Sequence, residues 1–322
     1  MTPPSQHLVL LGPQRIETTV GQVIRSLGVR GRVAAVTAGW QERESEDDEL
    51  AAQVGGRSVN LELHARAEAL FAADPELLGA YRQRQDRIKR LQQLYRRRLD
   101  HGLAAVRDLQ RESNGRDDEL LGEQIDEAID AVRALDESHH RRLAACHAEF
   151  EAQVDLAEHQ ALARQRQEIA ELLSDCEALA IAGGHVVILQ NRLRLFGVLD
   201  LLEAERPIIA WSAGAMVLAE RIVSFHDSPP QGAGNAEILE TGLGRFSGVV
   251  PLPHARRRLR LEDRDRVALL SRRIRPSRPV TLDAGGRLDW RDGAWRSQSG
   301  TFTLEPDGSL VETDVVALGT TR

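Results

Sequence analysis

Apolar positions along this chain fall into two registers, short unbroken runs and a long stripe repeating every three or four residues. Leu8-Val9-Leu10-Leu11-Gly12 predicts a buried strand, and Val20, Val23, Ile24 and Leu27 predict the helix after it. Arg32-Val33-Ala34-Ala35-Val36-Thr37 predicts a second strand, 42–54 a helix and 58–63 a third strand. The alternation returns at Ala178 to Ala182, a strand ending in Gly183-Gly184, followed by a helix over 186–195. Pro207-Ile208-Ile209 is a further short strand, and Met216 to Ile222 reads as helical. From about Val280 the chain reads as short strands with turns at Gly285-Gly286, Asp292-Gly293 and Asp307-Gly308. Strands alternating with helices predict an α/β fold, a parallel sheet with helices on both faces.

Residues 67–173 break this pattern. Asp74-Pro75 is a helix start, and Ile88, Leu91, Tyr95, Leu99, Leu103 and Val106 form one apolar stripe. Ser113-Asn114-Gly115 interrupts it, and Asp117 can cap the next helix. Leu121, Ile125, Ile129, Val132 and Leu135 make a second stripe, which Cys146, Phe150 and Val154 continue. The spacing predicts a long helical hairpin at 67–173, inserted into an α/β domain formed by 1–66 and 174–322. Its first helix, on the order of 55 Å long at 1.5 Å per residue, is expected to project or to pack on a second copy. A coiled-coil-like seam between its own helices is the simplest use of the stripe; a homodimer through the hairpin, partner docking and a lid are the other readings.

Composition narrows the field. Hydrophobic residues make up 42% of 322, enough for a sizeable core. The net charge is −7, which gives no ground for nucleic acid as a partner. Met1 to His7 has no signal-peptide pattern, and no apolar run reaches the roughly 18 residues of a membrane span. Cys146 and Cys176 imply neither a disulfide framework nor a metal spacing. A cytoplasmic protein without cofactor or metal is the expectation. His139, His140, Cys146 and His147 lack the i, i+4 pair that would put two ligands on one helix face.

The chemistry concentrates at Ala210-Trp211-Ser212-Ala213-Gly214-Ala215. A serine on a tight turn between strand and helix, flanked by small residues, is the context of a nucleophile elbow. Such a serine needs a base and an acid to orient the base. His254 and Asp227 follow it in the order Ser, Asp, His. His226 is the competing base, disfavoured because it adjoins Asp227 on the chain; Glu237 is the fallback acid. The amides of Gly184 and Ala213 are the expected oxyanion donors. His185 reads either as a helix-start residue or as a substrate contact. Arg256, Arg257, Arg258 and Arg260 read either as a solvated face or as a site for a substrate carboxylate.

These segments resemble the peptidase E and cyanophycinase family, serine peptidases on a class I glutamine amidotransferase-like fold. Trp211-Ser212-Ala213-Gly214-Ala215 is similar to the family's nucleophile motif, and Ala182-Gly183-Gly184 to the segment before its oxyanion region. Asp227-Ser228-Pro229-Pro230-Gln231-Gly232 is similar to the acid-bearing loop of peptidase E. Gly242-Leu243-Gly244 through His254, with Arg256, Arg257 and Leu259, is similar to the histidine segment of cyanophycinases. The resemblance covers 7–63 and 170–295. The chain departs from it at His185, where the family carries Asn or a similar polar residue, at Leu252-Pro253, where it carries a polar pair, and in the helical insertion.

The resemblance implies hydrolysis of an aspartyl or β-aspartyl peptide or isopeptide bond by Ser212, His254 and Asp227. It implies Gly184 and Ala213 at the oxyanion, and His185, Arg256 and Arg257 at a small peptide or isopeptide substrate. The alternative is a non-catalytic scaffold whose hairpin mediates oligomerisation or partner binding.

Overall fold

The computed structural model describes residues 7–113, 118–155, 159–227, 234–291, 293–313 and 315–317. The first part of the chain runs β1 (Leu8–Leu11), α1 (Val20–Ser26), β2 (Arg32–Val36), α2 (Asp48–Gln53) and β3 (Ser58–Asn60). Four helices follow, α3 (Leu63–Ala73), α4 (Pro75–Ser113), α5 (Glu119–Val154) and α6 (Gln160–Ser174). The chain then returns to the sheet with β4 (Cys176–Ile181), α7 (Val186–Phe196), β5 (Ile208–Trp211) and α8 (Ala213–Leu218). Next come β6 (Arg221–Ser224), β7 (Glu237–Thr241), β8 (Val249–Pro253), α9 (Ala255–Arg258), α10 (Arg264–Ile274) and β9 (Arg278–Leu282). The last elements are β10 (Arg287–Arg291), β11 (Ala294–Ser299), β12 (Phe302–Leu304), β13 (Leu310–Glu312) and β14 (Val315–Ala317).

The fold is α/β. The main sheet has eight strands in the order β14-β11-β10-β1-β5-β4-β2-β3. β1, β5, β4, β2 and β3 run parallel, and β10, β11 and β14 extend the sheet antiparallel. Side chains alternate across a strand, so neighbouring residues enter different cores. Leu8, Leu10, Leu179 and Ile181 join the large core on the face of α3, α6 and α7. Val9, Leu11, Ala178 and Ala180 join the smaller core, which Val20, Val23 and Ile24 of α1 and Leu50 of α2 cover. Both faces of β1, β5, β4 and β2 are covered, which is why these strands read as continuous apolar runs. A second sheet, β13-β12-β9-β8, pairs β8 and β9 in parallel.

Three expected boundaries move. The helix expected over 42–54 is a 3₁₀ turn, Ala38–Arg43, followed by the short α2, because Glu44 turns inward and is buried. The strand expected over 58–63 ends at Asn60, since Glu62 is left-handed and Leu63 opens α3. The helix expected over 216–222 begins at Ala213 and ends at Leu218, with Ile222 in β6.

The hairpin is present, with a third helix, α6, packed against β4. The 39 residues of α4 extend about 58 Å at 1.5 Å per residue. The break expected at 113–117 falls, past Ser113, outside the described residues. Ile88, Tyr95, Leu99, Leu103 and Val106 are buried, as are Ile129, Val132, Cys146 and Phe150 of α5. Within the chain, α5 lies against β7 and α10, and the stripes belong to the large core. No helix among the described residues is long and apolar enough to cross a membrane.

A buried polar network fixes the hairpin to the sheet domain. Tyr95 of α4 donates to Asp136 of α5 at 2.6 Å and accepts from the Ile238 amide of β7 at 3.1 Å. Arg273 of α10 donates to both Asp136 oxygens, at 2.5 and 2.9 Å, and to the Tyr95 hydroxyl at 2.9 Å. His139 stacks on Tyr95 with centroids 4.0 Å apart and bonds Gln92 at 2.8 Å. His147 bonds the buried Glu240 of β7 at 2.9 Å. His140, the third histidine of α5, bonds Glu220 O at 3.1 Å, and among the described residues no cluster of His, Cys, Asp and Glu is placed to hold a metal.

Removing one member of a buried ion pair leaves the other charge uncompensated. We predict that Asp136→Ala destabilises the fold by about 3–5 kcal/mol, whereas Tyr95→Phe, which leaves the Asp136–Arg273 pair intact, costs about 1–3 kcal/mol. Urea denaturation of the two variants checks both values and their order.

Candidate active site

β5 delivers Ser212 to the carboxyl edge of the main sheet, between β1 and β4. The backbone at Ser212 is held at φ 53°, ψ −120°, a strained conformation for a residue with a Cβ. Close packing imposes it. A Cβ on Gly214 would lie 2.3 Å from the Ile181 carbonyl, and one on Gly183 would lie 2.9 Å from Ser212 Cβ and 3.2 Å from its Oγ. The small residues flanking Ser212 are therefore required by contact. Ala213 is the first residue of α8, whose amide has no partner within the helix. Gly184 is exposed at φ 120°, and its missing side chain allows the Gly39 carbonyl to approach.

The second sheet delivers His254. It follows Pro253 at the end of β8, with φ 60°, ψ 33°, and its amide donates to Leu282 O at 3.2 Å. Its Nε2 lies 3.5 Å from Ser212 Oγ, within the reach expected of a catalytic pair before substrate tightens it. Burial holds the imidazole below its ordinary pKa, with further lowering from the Arg258 and Arg257 guanidinium groups and an opposing pull from Asp283. A lowered pKa keeps the ring neutral at neutral pH, the form that accepts a proton.

Asp227 is not the partner of this ring. Its Oδ2 accepts the Arg260 amide at 2.8 Å, its Oδ1 accepts from Arg266, and its own amide donates to Arg258 O at 2.7 Å. Asp227 thus braces the segment between α9 and α10, and it lines a separate cavity of about 40 Å³ with Leu103 and Arg107. Residues 228–232 of its expected loop lie outside the described residues. The fallback acid, Glu237, is taken by Arg96 at 2.6 and 2.7 Å.

The carboxylate whose charge opposes the lowering at His254 is Asp283. β8 and β9 are parallel with Pro253 opposite Leu282, so His254 and Asp283 leave adjacent strand ends together. Asp283 accepts the Arg256 amide at 3.1 Å; burial raises its pKa, and Arg256 and His254 pull it back down. The sequence offered one signal for it, an acid directly after the apolar run Pro279-Val280-Thr281-Leu282.

The expected substrate residues divide. His185 caps α7, its Nδ1 accepting the Ile188 amide at 3.3 Å, and is exposed beside Gly184. The Arg256 side chain is 71% exposed, near Asp283 and over the Phe302 ring, and Arg257 is exposed. Arg258 differs from both. It is half-buried beside His254, and burial and Arg257 lower its pKa with no carboxylate among the described residues opposing them. A cleft of about 790 Å³ opens on the Gly184 side, lined by Arg15, Trp40, Asp48 and Glu49 among others. Arg43 in its wall is paired with Glu46 at 2.6 Å.

Residues 133–274 match the sequence pattern of Peptidase family S51, a stretch running from within α5 to the end of α10. It contains Ser212 and His254 and stops before Asp283. A crystal structure of a peptidase from an acI-B1 actinobacterium is similar at TM-score 0.51 and 15% identity, covering 98% of each chain, which shows a shared fold. A structure assigned to peptidase E from Listeria monocytogenes EGD-e aligns at TM-score 0.44 and 11% identity, over 92% of this chain and 98% of that one. No curated protein matches the chain. The resemblance to the peptidase E family read from the sequence is borne out.

The charges around His254 fix the direction of its titration. We predict an NMR midpoint below the ordinary imidazole value. Arg258→Ala removes a cation and moves the midpoint up, Asp283→Asn removes an anion and moves it down, and Asp227→Asn leaves it in place.

Proposed function

We propose that this peptidase E-like chain is a serine hydrolase that cleaves an aspartyl or β-aspartyl peptide or isopeptide bond. The observation that carries the reading is the Ser212 Oγ–His254 Nε2 approach of 3.5 Å on a strained strand-to-helix turn. This turn has the character of a nucleophile elbow. A scaffold would have no need to keep these groups together beside an open cleft.

In this mechanism His254 Nε2 takes the hydroxyl proton as Ser212 Oγ attacks the carbonyl carbon. The amides of Gly184 and Ala213 stabilise the oxyanion, His254 returns the proton to the leaving amine, and water then releases the acyl group. Asp283 stabilises the imidazolium through its charge, part of the role first expected of Asp227.

The substrate follows from charge. Arg258 is a half-buried guanidinium beside the imidazole with no carboxylate partner among the described residues, which suits an aspartyl side chain or free carboxylate. On the other side of Ser212, Trp40, Asp48 and Glu49 suit a cationic neighbour, with Arg15 as the opposing charge. Together these favour a β-aspartyl-arginine unit over a neutral dipeptide. Cys146 and Cys176, free and buried, fit the reducing cytoplasm in which we place this activity.

The test is turnover of Asp-Xaa dipeptides, β-aspartyl-arginine and neutral dipeptides. The Ser212→Ala variant is expected to abolish it, and Asp283→Asn to lower kcat by roughly 10²–10⁴-fold, with Asp227→Asn close to wild type at the chemical step. Arg258→Ala is expected to raise KM most for the acidic substrates. Turnover that survives Ser212→Ala, or a larger loss in Asp227→Asn than in Asp283→Asn, contradicts the assignment.

A further inference from the structure

Glu44 has no part in the chemistry above, yet its side chain lies 4% exposed between the active-site cleft and a helix terminus. Its carboxylate accepts the amides of His64 at 2.9 and 3.0 Å and of Ala65 at 2.9 Å, at the start of α3. The α3 N-terminus has no local cap, so Glu44 supplies one from a distance. The main chain of Glu44 is held as firmly. Its carbonyl accepts the Thr37 hydroxyl at 2.9 Å and the Asn60 side-chain Nδ2 at 3.0 Å, and its amide donates to Gln41 O at 2.9 Å. Gln41 sits at φ 60°, ψ −124°, a strained conformation that needs such restraint.

The turn closed by these bonds carries Gly39 and Trp40. The Gly39 carbonyl accepts the His185 amide at 2.7 Å. A Cβ on Gly39 would lie 2.6 Å from Gly183 O, and one on Gly184 would lie 2.4 Å from Gly39 O. The position of the Gly183-Gly184 segment against Ser212 is therefore set by contact with this turn.

We infer that Glu44 is a positioning residue: by pinning the 38–46 turn to α3, it holds the Gly39 carbonyl against His185 and so fixes Gly184 as an oxyanion donor. The inference rests on Ser212 acting as the nucleophile. It assigns to a buried acid outside the triad a role in kcat, with no contact to substrate.

Glu44→Gln keeps the shape but replaces one acceptor oxygen with an NH₂ facing amide donors. The test pairs amide hydrogen exchange with kinetics on that variant. Exchange at His185 is expected to accelerate at least tenfold while Ile208, at the far end of β5, is unchanged. With misplacement of the donor, kcat is expected to fall on the order of tenfold or more at unchanged KM. Gly39→Ala, which pushes on Gly183 from the same turn, is expected to give the same pair of changes and serves if Glu44→Gln does not fold. Unchanged exchange at His185, or faster exchange with wild-type kcat, overturns the inference. Wild-type protein without turnover is instead a failure of the hydrolase reading, and the exchange measurement still decides whether Glu44 holds the segment.

Discussion

Ser212 can hold φ 53°, ψ −120° only where its neighbours give way, and much of the site is arranged around that condition. Gly183 and Gly214 lie where even a methyl group would strike Ser212 or the Ile181 carbonyl. The same closeness brings Gly184, the α8 N-terminus and the hydroxyl into one small volume at the sheet edge. Strain of this kind persists only when packing on all sides over-determines it. Here β1 and β4 flank the strand, α7 and α8 pack together, and the 38–46 turn closes the glycine segment.

The second half of the site comes from another sheet. His254 and Asp283 leave the parallel pair β8–β9, so their relation is fixed by strand register. What must be fixed as well is the position of that sheet against the first. The hairpin contributes to this indirectly. The Tyr95–Asp136–Arg273 network ties α4 and α5 to α10, the helix connecting toward β9, and His147–Glu240 ties α5 to β7. The long helical hairpin thus becomes a brace along one side of the sheets.

Much of this was legible in the sequence. Leu8–Leu11, Val33–Val36 and Ala178–Ile181 are apolar on both faces and announce buried parallel strands. The small-residue frame of Ser212 announces a turn, because few other patterns need it. The carboxylate beside the histidine strand was not legible. Asp227 lies in the expected order, but its oxygens are taken by the Arg260 amide and by Arg266. Asp283 depends on a pairing between strands that sequence order does not display. The packing of the hairpin was hidden for a different reason: nothing in the spacing marks Gln92, Asp136 and His139 as buried until their partners on β7, α10 and α4 are in place. Arg258 was hidden among its neighbours, since only burial separates it from Arg256 and Arg257.

The account turns on Ser212 being a nucleophile activated by His254. The most direct measurement is covalent labelling by a fluorophosphonate, read as intact mass and mapped to a peptide, for wild type and His254→Ala. The account predicts one adduct, on Ser212, formed by wild type and strongly slowed in His254→Ala. A folded wild-type protein that forms no adduct, or forms it equally fast without His254, would contradict it.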